Sequence, residues 1–292
     1  MAITGSGTQG DPWIVHNYSE IKNCIGNMDS SAKYYVKLAN DIDCNDYGST
    51  FEWETVGVLN SYVQYDFDLD GHTIKNFKVK SNNQVFRFGG NQASTVKNGK
   101  ILNVYLGNSK GFMPDYIGSV YEFSSFENLS ISINTGSGIE RGYDVFYRTK
   151  IKECAIYIEG ALPDSTTILS THNAGATVED SDFMFNVSYA KSIEEFASGT
   201  GNVKRCRFRG TIANTSGDYL LRGGAENSVI DLNTAVHYSA YSDFTTNNST
   251  VINKTKAYNM SYFQNMIQVT SAEIINGDAL RAKGFEVVNV SE

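Results

Sequence analysis

No run of eighteen apolar residues occurs anywhere in the chain, so no segment reads as a membrane-spanning helix and no membrane insertion is expected. Proline is scarce, with 3 in 292 residues. Together with 26 Gly and 12% aromatic residues, this is the composition of an ordered, strand-rich chain rather than a disordered one. Positive charge is not in excess, since 24 Lys and Arg stand against 32 Asp and Glu, for a net charge of -8. Phosphate binding needs a basic face, and here the basic residues are scattered, so nucleic acid is not an expected partner; neutral glycans stay open. The 4 Cys lack metal-ligand spacing and form no disulfide framework, and they read as buried thiols. Met1 to Val15 contain no basic segment followed by an apolar one. The expectation is that a signal was removed, or that the protein leaves its cell inside a virus particle.

What the chain does have is a repeat. Asp70 to Phe77, DGHTIKNF, aligns with Asn98 to Val104, NGKILNV, so that Ile74 falls on Ile101 and Phe77 on Val104, with a tight Gly turn in each copy and one residue of slack. Looser copies follow as VKNGKI, FENLSI, IKECAI, VEDSDF, VKRCRF, AENSVI and NNSTVI, ending at Ile101, Ile131, Ile156, Phe183, Phe208, Ile230 and Ile252. From Ile74 the steps are 27, 30, 25, 27, 25, 22 and 22 residues. A period in the twenties, carried by short β-rich units between Gly, Asn, Ser and Asp, marks a solenoid. Leucine-rich repeats would need Leu at several fixed places, and helical repeats would need a 3.6-residue apolar rhythm; neither is present.

The fold class expected is therefore all-β: a single-stranded right-handed parallel β-helix with short helical caps at both ends. Roughly eight coils spaced about 4.8 Å apart make a rod about 35 to 40 Å long. Cys154 and Cys206 fall in the same slot of the unit with Ser181 between them. That places them two coils apart, about 9.6 Å, too far for a disulfide.

Three segments are read. Residues 1–60 form an N-terminal cap: an extended arm ending in Asp11, Pro12 and Trp13, a helix over Tyr18 to Met28 capped by Ser19 with Ile21, Cys24 and Ile25 on one face, a strand within Tyr34 to Cys44, and Phe51 to Val58 carrying Trp53. Residues 61–265 are the β-helix, and 266–292 are a second cap with a Ser271-capped turn, a helical stretch at Asp278 to Lys283 and a strand from Phe285. A cap is needed because the end of a β-helix exposes unpaired backbone groups. The segments GNSKGFMPDYIGSVYEF, NTGSGIERGYDVFY and EGALPDSTTILSTHNAG read as long loops leaving one side of the rod.

The succession DPWIV, a helix, YYVKLANDID, a Trp and FDLDGHTIKNF resembles the N-terminal half of a family of repeat-type right-handed parallel β-helix proteins, of pectate-lyase-like architecture. The family occurs in bacteriophage virions and on bacterial surfaces. The resemblance covers about Gly5 to Val104 and is generic beyond; this chain has LDGHTI where the family often carries an extra Gly. It implies a virion or surface protein.

Asp66, Asp68 and Asp70 alternate with Phe67 and Leu69, so their carboxylates face one way and are the candidate metal ligands, for Ca²⁺. The plainer reading is a solvated strand face with Asp70 shaping the turn. Around the final apolar slot, Asp182 is expected to pair with Arg207 and Arg209 with Asp231, and no acidic cluster suited to glycoside chemistry appears. His16, His72, His172 and His237 have no mutual spacing that suggests a metal or triad, and His72 reads as structural. No nucleophile, phosphate-loop or other cofactor motif occurs, so no catalytic residue and no cofactor are assigned. The candidate recognition residues are Tyr116, Tyr121, Tyr143, Tyr147, Tyr189, Tyr219, Tyr238 and Tyr241, whose rings can stack on sugars or on a neighbouring subunit; their bland alternative is packing within the chain.

The functional expectation is a non-enzymatic bacteriophage virion protein, a head fibre or capsid decoration subunit. It would form a homo-oligomer, with a trimer favoured, and would contact other virion proteins and a host-surface glycan. The alternatives are a tail-spike polysaccharide lyase or glycosidase and a bacterial surface adhesin, the latter placing it extracellularly or at the cell surface.

Overall fold

The computed structural model of the chain describes residues 3–29, 32–56, 63–86, 88, 93–107, 109, 124–136, 145–147, 149–162, 167–171, 177–189, 192–196, 203–213, 225–234, 251–253 and 267–272. Within them the chain is a parallel β-helix. One ladder of hydrogen-bonded rungs runs through Ile42, Ile74, Ile101, Ile131, Ile156, Phe183, Phe208, Ile230, Ile252 and Gln268, each residue beside the next in parallel register. Every step of the sequence alignment from Ile74 to Ile252 is a step of this ladder. A second ladder runs through Trp13, Val36, Phe67, Val96, Phe126, Ile151, Val178, Val203 and Ala225. A three-stranded sheet of Phe146–Tyr147, Thr167–Thr171 and Ser192–Phe196 forms a further wall.

The apolar residues of the repeat line the inside of these walls. Ile74, Ile101, Ile131, Ile156, Phe183, Phe208 and Ile230 are all buried, and the rings of Phe183 and Phe208 stack at 5.2 Å. Burying one such side chain is worth about 1.5–3 kcal/mol, so the stack of like residues is the main favourable contribution of each coil.

At the N-terminal end Trp13–Val15 is more than a covering arm, because it pairs in parallel with Lys33–Leu38 and is itself a rung. The helix Tyr18–Gly26 buries Ile21, Cys24 and Ile25, the face expected, in the same core. Its N-cap is Asn17 and not Ser19, since the Asn17 side chain accepts from the Glu20 backbone N–H. Ser19 lies two positions farther in, as the second residue of the helix, and it is Asn17 that has the extended backbone of a cap. Trp53 is fully buried, donates from Nε1 to the Val85 carbonyl at 3.0 Å and stacks on Phe77 at 4.4 Å, which locks this end to the first coils. At the other end, the strand Ile267–Val269 is followed by helical Ser271 and Ala272. The expected helix at Asp278 to Lys283 and the strand from Phe285 lie outside the described residues. Among the described residues no helix is long and apolar enough to cross a membrane.

Candidate functional site: a polar groove along one corner

The two ladders meet at a corner that is the same length in the six coils from Val96 to Ile230 and is longer in the two before them, from Val36 to Ile42 and from Phe67 to Ile74. Val96 and Ile101, Phe126 and Ile131, Ile151 and Ile156, Val178 and Phe183, Val203 and Phe208, and Ala225 and Ile230 are corresponding pairs, always five residues apart. The corner residue itself is left-handed throughout: Asn98 (φ 58°), Asn128 (φ 51°), Glu153 (φ 56°), Asp180 (φ 51°), Arg205 (φ 51°) and Asn227 (φ 47°). Asn and Asp tolerate this region because their short polar side chains bond locally, which explains why they recur at the third place of the unit. The turn of the second copy is thus carried by Asn98 and not by a glycine. Gly99 serves another purpose, since a Cβ there would lie 2.5 Å from the His72 carbonyl oxygen and from Leu69 Cβ. The first copy, with Asp70 (φ 49°) and Gly71 (φ 85°) left-handed, makes a longer turn that leans onto Gly99.

Side chains stack along the corner. Asn128 donates its amide to Asn98 at 3.1 Å, and Asn98 donates to both oxygens of Asp68. Farther along, Arg205 grips Asp180 with two bonds of 2.5 and 2.7 Å, holding an arginine in a conformation it otherwise avoids. In the next slot inward, Cys154 and Cys206 alternate with Ser181 and Ser228; the Ser181 and Ser228 hydroxyls accept from the Cys154 and Cys206 backbone N–H groups. Both cysteines are free and buried, and burial pushes each thiol up to about 12.

The place before the corner residue holds Lys37, Asp68, Lys97, Glu127, Lys152, Glu179, Lys204 and Glu226 in successive coils, a strict alternation of charge down one column. Each exposed contact is worth little, but a coil slipped by one rung would set like charges side by side. The alternation is visible in the sequence as K, E, K, E, K, E at the second place of the repeat, and reading that place only as polar misses it.

Between the corner residues and the adjoining strand lies a groove of about 510 Å³. Asn98, Asn128 and Glu153 form one wall, Lys100, Ser130 and Ala155 the other, and Gly99 and Leu129 the floor, with Asp70 and Gly71 closing one end. It spans four consecutive coils, about 14 Å along the axis.

The sequence candidates are distributed as follows. Phe67 and Leu69 are fully buried, so Asp66 and Asp68 face outward as expected. Asp66 pairs with Lys33 at 2.9 Å and accepts from the Thr95 N–H, Asp68 holds Asn98 and the Asp70 N–H, and Asp70 pairs with Lys37 at 2.9 Å. Among the described residues no three His, Cys, Asp or Glu side chains are grouped so as to hold a metal ion. The expected ion pairs change partners: Asp182 and Arg207 are neighbours in register, yet Arg209 reaches Asp182 at 2.8 Å and Arg207 reaches Asp231 at 3.8 Å. Arginine side chains lean along the strand, and the diagonal neighbour two residues on is within their reach. His72 faces Asp41 at 3.3 Å and His16 faces Glu20 at 3.0 Å. Tyr189 is half-buried at the end of Asp182–Tyr189, and Tyr147 ends the short strand Phe146–Tyr147. Tyr116, Tyr121, Tyr143, Tyr219, Tyr238 and Tyr241, with His172 and His237, lie outside the described residues.

No family model and no curated protein matches the chain. Among solved structures it is similar to the crystal structure of a candidate immunoglobulin A1 protease from Bacteroides ovatus, with a TM-score of 0.58 and 17% identity over 96% of this chain and 89% of that one. The likeness is one of fold. At this identity it carries the parallel β-helix and no activity.

Proposed function

We propose that the chain is a non-enzymatic bacteriophage virion appendage, a head fibre or capsid decoration subunit whose rod presents loops to a host-surface glycan or to neighbouring virion proteins. The observation that supports it most is where the coils differ. From Val96 to Ile230 the corner segment is constant, so the variation in coil length over these coils falls between the end of one unit and the start of the next, for instance between Ile101 and Phe126 against Phe208 and Ala225. A rigid rod with one uniform corner and unequal loops elsewhere is a scaffold for recognition. The family resemblance of the first third supplies the virion setting, and trimeric assembly belongs to the same proposal. Glycoside cleavage needs two carboxylates about 5 to 10 Å apart facing one space; Asp66, Asp70 and Asp182 are each held by a cation and Asp68 by an amide.

A second reading, a bacterial surface adhesin of the same architecture, draws support from the same resemblance of the first third, since that family occurs on bacterial surfaces as well as in virions. Immunogold labelling with antibody to the purified chain separates the two, applied to particles of a phage encoding it and to bacterial cells, with host capsular polysaccharide incubated alongside. Label on particles and unshortened polysaccharide are expected. Label confined to cells favours the adhesin, and shortened polysaccharide overturns both in favour of a tail-spike enzyme.

A further inference from the structure

Resting on the reading of the chain as a surface-binding rod, we propose that the corner groove is itself a binding site, for an extended oligosaccharide bearing a carboxylate on one sugar with neutral sugars on either side. Lys100 is the centre of the argument. It is exposed, lines the groove and forms no ion pair with any described residue, whereas Lys33, Lys37, Lys75, Lys78 and Lys80 all do. An uncommitted ammonium in a groove attracts an anion, and its flexible stem lets it meet a single carboxylate.

The rest of the groove limits how much charge the ligand carries. Asp70, paired with Lys37, closes one end and Glu153, paired with Lys152 at 3.5 Å, stands at the other. Lys100 is the one cation among the described lining residues, so a chain with a carboxylate on every sugar finds a partner for only one of them. Asn98 and Asn128 lie one coil apart, about 4.8 Å, on one wall, and Ser130 stands across the groove from Asn128 in the same coil, so amide and hydroxyl groups are offered to sugar hydroxyls from both walls. An extended peptide would instead need an open strand edge. The strands flanking the groove, Thr95–Tyr105, Ser124–Asn134 and Ala155–Ala161, are paired on both sides.

The test is calorimetric titration of the full chain with three tetrasaccharides and one peptide: hyaluronan tetrasaccharide, with a carboxylate on alternate sugars, neutral chitotetraose, tetragalacturonate, with one on every sugar, and Gly-Ser-Glu-Ser-Gly. The hyaluronan fragment is expected to bind at least tenfold tighter than the others and to weaken with salt. Lys100→Gln should lower its affinity at least tenfold and Ala155→Trp should abolish binding by filling the groove, both with unchanged melting temperature, while Lys204→Gln has no effect. Should Ala155→Trp misfold, Lys100→Gln decides alone. Absence of binding, preference for tetragalacturonate or the peptide, or full affinity in Lys100→Gln overturns the proposal. Label on particles without glycan binding removes the groove site and leaves the appendage reading standing; the reverse result removes the appendage reading alone.

Discussion

At the scale of single residues, the corner column carries most of what distinguishes this sequence from an arbitrary strand-rich one. Asn128 sits at φ 51° and gives its amide to Asn98. Alanine there loses the bond and must adopt a left-handed conformation, whereas glycine loses only the bond. Asn128→Ala is therefore expected to cost about 2 kcal/mol in urea unfolding and Asn128→Gly less than about 1 kcal/mol; equal costs would show that the conformation does not matter. The apolar rungs were legible in the sequence, because Ile, Val and Phe recur at matching places and only one register buries them all. The left-handed corner was half legible. Glycine drew the eye at Gly71 and Gly99, while Asn98 does the turning and Gly99 makes room for the turn above. The partners of Asp182 and Arg207 were not legible, since reach along a strand depends on how a long side chain leans.

At the scale of elements, the cap helix and the charged column make separate predictions. Asn17→Ala removes the helix cap and is expected to lower stability by about 1 kcal/mol, while Ser19→Ala, outside the capping position, changes it little. Glu179→Lys places three lysines together, with Lys152 and Lys204 on either side. The expected loss is about 1 kcal/mol at low salt, shrinking as salt rises; a loss independent of salt would mean the column acts through packing. Glu54 ties the helix to the first coils by pairing with Lys22 and with Lys80. Hydrogen bonds from Lys22 and then Lys80 hold its carboxyl down at about 2. Because that value lies below the ordinary 4.5, the stabilisation is present above about pH 4.5 and is lost as pH falls towards 2. Exposure of the pair screens it to about 1 kcal/mol or less. Glu54→Gln should flatten that part of the acid limb of a stability profile, and an unchanged limb would mean the pair contributes nothing.

At the scale of the whole molecule, the solenoid followed from the repeat and the capping helix from its apolar face, whereas the rung formed by Trp13–Val15 and the groove did not. A groove arises from what neighbouring coils place side by side, here the small Ser130 and Ala155 beside the projecting Asn128 and Glu153, and no single copy of the unit displays it. The proposed function belongs to this scale as well, in which side of the rod varies and where the rod stands. The most direct measurement is a cryo-electron microscopy reconstruction of particles of a phage encoding the chain, at a resolution that separates strands about 4.8 Å apart. The account predicts a stacked rod on the particle surface with its loop-bearing side turned outward. A particle without such a rod, or a rod whose loop-bearing side is buried against the capsid, would contradict it.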